Sequence, residues 1–292
     1  MPNVVSFQQV DVFTAVPYRG NPVAVILDGR GLSEARMQHI ANWTNLSETT
    51  FVLPATAAGA DYRVRIFTPR QELPFAGHPS VGTAHAMIDA GLAVPRDGAL
   101  AMECGAGVLP LRIDGEGDSR RIFVRAPAPR FADPEITQIV ALSKALRVPV
   151  TQQPAPRNVN VGPTWMVVDL EDEATVRGLA PDLGRIADLT REHDAVGVAV
   201  FGRSPDPALP WVVRCFVPAD GIPEDPVTGS GQAAIASFLR ANGLVPAGNV
   251  AYAASQGREV GRDGIVHVRI DADDRVDIGG HSVTCVRGTI ML

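Results

Sequence analysis

The chain has 292 residues, 46% hydrophobic and 20% charged, enough for one large folded domain or two of ordinary size with packed cores. Its formal net charge of −6 and its scattered arginines, with no run longer than Arg120-Arg121, exclude the basic stripe of a nucleic-acid binder. The 28 glycines and 24 prolines favour many short strands and turns over a helical bundle.

In chain order, strands are expected over 6–13 and 22–27, then a helix over 33–43 with Ser33 as a good N-cap. Strands follow over 49–53 and 61–66, the second alternating polar and apolar residues as a half-buried strand does. A helix over 79–90 carries Ala84, Ala86, Met87 and Ile88 and is apolar nearly all round, so it should be buried, with Gly91 as its left-handed C-terminal cap. Strands over 108–113 and 122–125 lead to the stretch 125–131, where Pro127 and Pro129 mark a crossover between two halves.

The second half is expected to hold helices over 134–146 and 172–189, with strands over 165–168, 195–201 and 211–217. A second apolar helix, over 226–242, carries Ala233, Ala234, Ile235, Ala236, Phe238 and Leu239 and is capped by Gly243. Strands over 250–254, 265–270 and 283–291 close the chain. No apolar run nears the roughly 18 residues of a membrane span, and Met1-Pro2-Asn3 does not begin a signal peptide. Three cysteines, Cys104, Cys215 and Cys285, are odd in number and lack CxxC spacing, which fits a reducing cytoplasm better than a disulfide framework.

An internal repeat organises these elements. Residues 78–84 read His-Pro-Ser-Val-Gly-Thr-Ala and residues 225–231 read Asp-Pro-Val-Thr-Gly-Ser-Gly, 147 positions apart (225 minus 78). Arg65-Ile66-Phe67-Thr68-Pro69 precedes the first copy and Arg214-Cys215-Phe216-Val217-Pro218 the second. Ala90-Gly91-Leu92 and Asn242-Gly243-Leu244 follow, and then Cys104-Gly105 and Gln256-Gly257. Matched landmarks in the same order indicate duplication: many strands curled around one apolar helix, twice over, in an α+β architecture.

The paired loops are the first candidates for chemistry. Gly-Thr or Gly-Ser at a helix start leaves backbone N–H groups unpaired, and the helix dipole adds positive potential, so two such ends would hold a carboxylate. Gly77, Gly82, Gly229 and Gly231 would let a ligand approach the backbone. The competing reading makes Pro79 and Pro226 the first helical residues and His78 and Asp225 their N-caps. Glu48, at the start of a strand and flanked by small hydroxyl residues, would work as an acid/base if burial raised its pKa; otherwise it is a solvated turn residue. Residues 229–234 match G-x-G-x-x-A, but no strand precedes them and no acidic residue stands about 20 positions on, which rejects a dinucleotide site. The six histidines lack metal spacing, His85 reads as a helix-packing residue, Cys104 as a small buried one, and Ser230 lacks a nucleophile elbow.

At these residues the chain resembles the PhzF family. The matching stretches are Asp11-Val12-Phe13-Thr14, Gly20-Asn21-Pro22, Asn45-Leu46-Ser47-Glu48-Thr49, Arg65-Ile66-Phe67-Thr68-Pro69, Pro74-Phe75-Ala76-Gly77-His78-Pro79, Glu224-Asp225-Pro226-Val227-Thr228-Gly229-Ser230 and Gln256-Gly257. The resemblance implies a diaminopimelate epimerase-like fold, two pseudo-symmetric halves that each wrap a β-barrel-like sheet around a central helix, with the site between them. The halves are expected over 1–127, completed by 282–292, and over 128–281. It further implies Glu48 as the acid/base and His78, Asp225 and Ser230 as substrate-binding residues. Gly77, Thr83, Gly229 and Gly231 of the loops join them. No metal or cofactor is expected, the partner would be a small carboxylate, and the family suggests a cytoplasmic homodimer. An isomerase that moves a proton on a cyclic or amino carboxylic acid is the leading expectation. An epimerase is an alternative, though the loops lack the paired cysteines of epimerases; a non-catalytic metabolite-binding protein is another.

Overall fold

A computed structural model describes residues 4–151 and 153–292. The chain forms two compact units, Met1–Arg125 with Gly279–Leu292, and Ala126–Ile278. The first unit opens with β1 (Val4–Val12), β2 (Asn21–Ile26), α1 (Glu34–Thr44), β3 (Glu48–Leu53), β4 (Tyr62–Phe67) and the short β5 (Glu72–Leu73). α2 (Gly77–Asp89), β6 (Ala99–Cys104), β7 (Gly107–Asp114) and β8 (Arg121–Arg125) complete its continuous part. Ser33 caps α1 by accepting from the Arg36 N–H, and α1 serves as the crossover between the parallel strands β2 and β3, paired Val23 to Glu48. β4 turns Tyr62, Val64 and Ile66 inward and pairs antiparallel with β3 and β5 and parallel with β6. α2 is buried from His78 to Ala84 and at Ala86 and Met87, and it packs against β1, β2, β3 and β8.

The second unit runs through β9 (Arg130–Ala132), α3 (Ile136–Leu146), β10 (Arg157–Asn160), β11 (Thr164–Asp172), α4 (Glu173–Arg177) and α5 (Leu183–Glu192). It continues with β12 (Gly197–Arg203), β13 (Trp211–Val217), β14 (Ile222–Asp225), α6 (Gly229–Ala241), β15 (Val250–Gln256), β16 (Gly264–Ile270) and the first residues of β17 (Val276–Gly280). The pairing repeats that of the first unit. β11 and β12 are parallel around a helical crossover, and β13 pairs antiparallel with β12 and β14 and parallel with β15. α6 packs against β10, β11, β12 and β16. Its Ile235, Phe238 and Leu239 are almost wholly removed from water, each worth about 1.5–3 kcal/mol of burial. The Phe238 ring meets Phe201 edge to face at 5.7 Å. Finally β18 (Ser282–Met291) returns to the first unit, pairs antiparallel with β1 along its length and packs against α2.

Three expectations need correction. The helix placed over 172–189 is two helices, because Gly178 ends α4 and Pro181 intervenes before Asp182 caps α5. The strand 99–104 was not expected from Ala-Leu-Ala-Met-Glu-Cys, a helix-favouring run that pairing with β4 and β7 holds extended. The paired helices start at Gly77 and Gly229, separated by 152 positions (229 minus 77), and end at Asp89 and Ala241 with the same separation. The equivalent of Gly77-His78 is therefore Gly229-Ser230, not Pro226 and its neighbours. The 147-residue match of His78 to Asp225 pairs residues from different places in the two copies. Asp225 stands three residues before its helix cap, at the end of β14.

Candidate active site

In the first unit Glu48 is the first residue of β3, so its position is set by the parallel ladder with β2. Its side chain is 15% exposed, and Oε2 itself is buried. His78, the second residue of α2 and 7% exposed, brings Nε2 to 3.3 Å from that oxygen, without the alignment of a hydrogen bond. Burial raises the Glu48 carboxyl to about 7, and a hydrogen bond from Ser47 pulls the other way. The Ser47 hydroxyl oxygen also lies 3.2 Å from Asn21 Oδ1, a contact between the loop before β3 and the start of β2.

α2 and α6 share an unusual start. Neither Ala76 nor Thr228, their N-cap residues, caps its helix with a side-chain hydrogen bond. Alanine has no group to do so, and the Thr228 hydroxyl is committed to Asp225 Oδ2. The reading of His78 and Asp225 as N-caps is therefore overturned, because the caps are Ala76 and Thr228.

In the second unit Asp225, Thr228 and Gln256 form one hydrogen-bonded cluster. Gln256, the last residue of β15 and wholly buried, accepts from the Thr228 N–H at 3.0 Å and donates to the Asp225 carbonyl at 3.1 Å and to Thr228 Oγ1 at 2.8 Å. The half-buried Ser230 accepts from the indole N–H of Trp165 at 3.1 Å. Gln256, Thr228 and Trp165 were not among the expected site residues. The one sequence signal at Gln256 was the Gln256-Gly257 landmark, which matches Cys104-Gly105.

Two expected loop residues also have packing partners. Thr83 is fully buried one turn inside α2, 2.8 Å from Thr50 Oγ1 and 2.7 Å from the Pro79 carbonyl, so it braces the helix against β3. Gly231 leaves room for the Cys215 thiol, whose sulfur would lie 2.6 Å from an added Cβ. Burial pushes that thiol up, and Cys104 likewise, so neither is poised as a thiolate base. His85 packs as expected, with Nε2 3.2 Å from Thr284 Oγ1, and burial lowers it to about 4.

A repeated clamp holds the approach to each helix. Arg65 of β4 grips Glu72 of β5 with two hydrogen bonds and stacks 5.2 Å from the Phe67 ring. Arg214 of β13 grips Glu224 of β14 at 2.9 and 2.7 Å, stacks 5.0 Å from Phe216, and donates to the Val176 and Leu179 carbonyls. Arg214 and Glu224 line a hollow of about 270 Å³ with Leu183, Phe216 and Val260, but they are spent on each other and on the backbone. Among the described residues no group of three or more His, Cys, Asp or Glu is arranged to hold a metal ion, and no helix is long and apolar enough to cross a membrane.

Comparison with known proteins gives the family and the fold. The model of a family described as phenazine biosynthesis-like protein matches residues 10–288. The chain is 37% identical to antisense-enhancing sequence 1 of Schizosaccharomyces pombe, over 97% of each chain. It is 35% identical to trans-2,3-dihydro-3-hydroxyanthranilate isomerase of Pseudomonas chlororaphis, over 97% of this chain and 98% of that one. The crystal structure of the Bacillus anthracis phenazine biosynthesis protein of the PhzF family superposes with a TM-score of 0.88 at 26% identity, covering 99% of this chain and all of that one.

Proposed function

Because the chain belongs to the phenazine biosynthesis-like (PhzF) family, with its diaminopimelate epimerase-like fold and isomerase members, we propose that it moves a proton on a small carboxylic acid with Glu48 as acid and base. The observation that carries this reading is the buried Glu48 carboxyl, raised to about 7 and set against His78. At that value the group takes a proton from carbon and returns it with comparable ease near neutral pH, which is what a single shuttling base requires. His78, Asp225 and Ser230 hold polar substituents of the substrate in this reading. The uncapped starts of α2 and α6, with Gly77, Gly229 and Gly231, supply N–H donors to its carboxylate. The proton leaves and returns through a protein side chain, so the reaction asks for no cofactor.

A paired-thiol epimerisation has less support, since residues 77–83 and 225–231 contain no cysteine and the nearby Cys215 thiol is buried and pushed up. The name carried by the Pseudomonas relative makes trans-2,3-dihydro-3-hydroxyanthranilate the first compound to try. The test is proton exchange at carbon, followed by NMR in deuterated water with this compound and related cyclic and amino acids. Glu48→Gln should lower exchange and turnover by about 10²–10⁴-fold while binding stays within a few-fold. Unchanged exchange in that variant would remove Glu48 from the reaction.

A further inference from the structure

We propose that Gln256 is a positioning residue: through Thr228 it holds the Asp225 carboxylate as a hydrogen-bond acceptor for a donor group on the substrate. The inference rests on the reading of Asp225 as a substrate-binding residue and adds what fixes that residue's polarity.

The direction of each hydrogen bond follows from one immovable donor. The Thr228 backbone N–H can only donate, so the Gln256 atom 3.0 Å from it is the amide oxygen. The other end of the amide is then the nitrogen, which faces the Asp225 carbonyl at 3.1 Å and Thr228 Oγ1 at 2.8 Å. Thr228 has one hydroxyl proton. With its oxygen already accepting from Gln256, that proton goes to Asp225 Oδ2. An Asp225 that receives a proton donor is held as an acceptor, and the partner it suits is an amine, ammonium or hydroxyl.

The relay is built into the backbone. Gly257 has φ of 98°, and an added Cβ there would lie 2.4 Å from the Pro226 carbonyl. That close approach brings the end of β15 against the 225–229 loop, and only glycine permits it. The equivalent position in the first unit, 152 residues earlier, is Cys104 before Gly105. A thiol cannot bridge a carbonyl, a hydroxyl and an N–H as an amide does. The duplicated frame thus carries the acceptor relay in its second copy, whereas the raised carboxyl of Glu48 belongs to the first.

The relay is tested by the preference of the full-length protein for 2-aminobenzoate over benzoate, two acids that differ by one hydrogen-bond donor, measured by titration calorimetry. The native chain should prefer 2-aminobenzoate by about tenfold, as expected for a hydrogen bond to a charged acceptor. Thr228→Val, nearly isosteric but without the hydroxyl, should bring the ratio close to one, and Thr228→Ser should restore it. Gln256→Met should also lower it. If that buried substitution prevents folding, the valine and serine variants decide, since both retain Gln256. With trans-2,3-dihydro-3-hydroxyanthranilate, Thr228→Val should raise KM about tenfold and change kcat little, a split that general loss of structure would not give. A native protein without preference, or a Thr228→Val variant that keeps it, overturns the relay. Absence of exchange at carbon with the preference intact would instead count against the Glu48 mechanism alone.

Discussion

Glu48 shows how one residue's environment decides both activity and stability. Its ordinary carboxyl value of 4.5 is raised to about 7 by burial. Below pH 4.5 the group is protonated in the folded and unfolded chains alike. Between 4.5 and 7 the folded state holds a proton that the unfolded state has lost, so this residue's contribution to stability falls as pH rises through that window and levels off above it. Glu48→Gln removes the dependence. The variant should gain stability relative to the native chain as pH rises, by about 3 kcal/mol at pH 8 and close to nothing at pH 4.5. Urea unfolding at the two pH values measures this, and an equal difference at both would mean that the carboxyl is not desolvated. The same raised group predicts that kcat/KM climbs with pH to a midpoint near 7 when proton abstraction limits the rate.

At the scale of elements, the Arg–Glu clamps set the hairpins that lead into α2 and α6. They are chemically alike and differ in burial. Arg214 and Glu224 are 8% and 7% exposed, whereas Arg65 and Glu72 are 18% and 33% exposed. Arg214→Met leaves the Glu224 charge buried without its partner and should cost about 3–5 kcal/mol. Arg65→Met should cost about 1 kcal/mol, because water screens what remains. Adding Glu224→Gln to Arg214→Met should recover part of the loss, since the stranded charge is then gone. Thermal melts of the three variants distinguish these cases, and equal losses at the two arginines would refute the burial argument.

At the scale of the whole molecule, the two units differ in how the chain builds them. Ala126–Ile278 is one continuous stretch, but the first unit needs Gly279–Leu292 from the far end of the chain. In β18, residues from Ser282 to Met291 pair with β1 from Val4 to Val12. A chain cut after residue 278 leaves β1 without that ladder and α2 without part of its cover. It should retain the unfolding transition of the second unit and lose that of the first, as read by calorimetry. Two transitions in the truncated chain would show that β18 is dispensable.

Much of this protein could be read locally. Alternation marked the strand 61–66, a continuous apolar and β-branched run marked 211–217, the all-round apolar faces of α2 and α6 marked buried helices, and Gly91 and Gly243 marked their ends with φ of 68° and 67°. These features depend on neighbours a few residues apart, and the ordered motifs from Asp11 to Gly257 were enough to point to the family. The true repeat register was hidden, because loops before the helices differ in length while their Pro and Gly residues coincide by composition. The value of Glu48 and the bonding of Thr228 were hidden for a deeper reason. Desolvation of a carboxyl and the polarity of an amide depend on atoms brought close from 30 residues away, for His78 and Glu48, and 28 away, for Gln256 and Thr228. Local sequence sets which shapes the backbone can take, but burial and hydrogen-bond partnership exist only once distant segments pack together and exclude water.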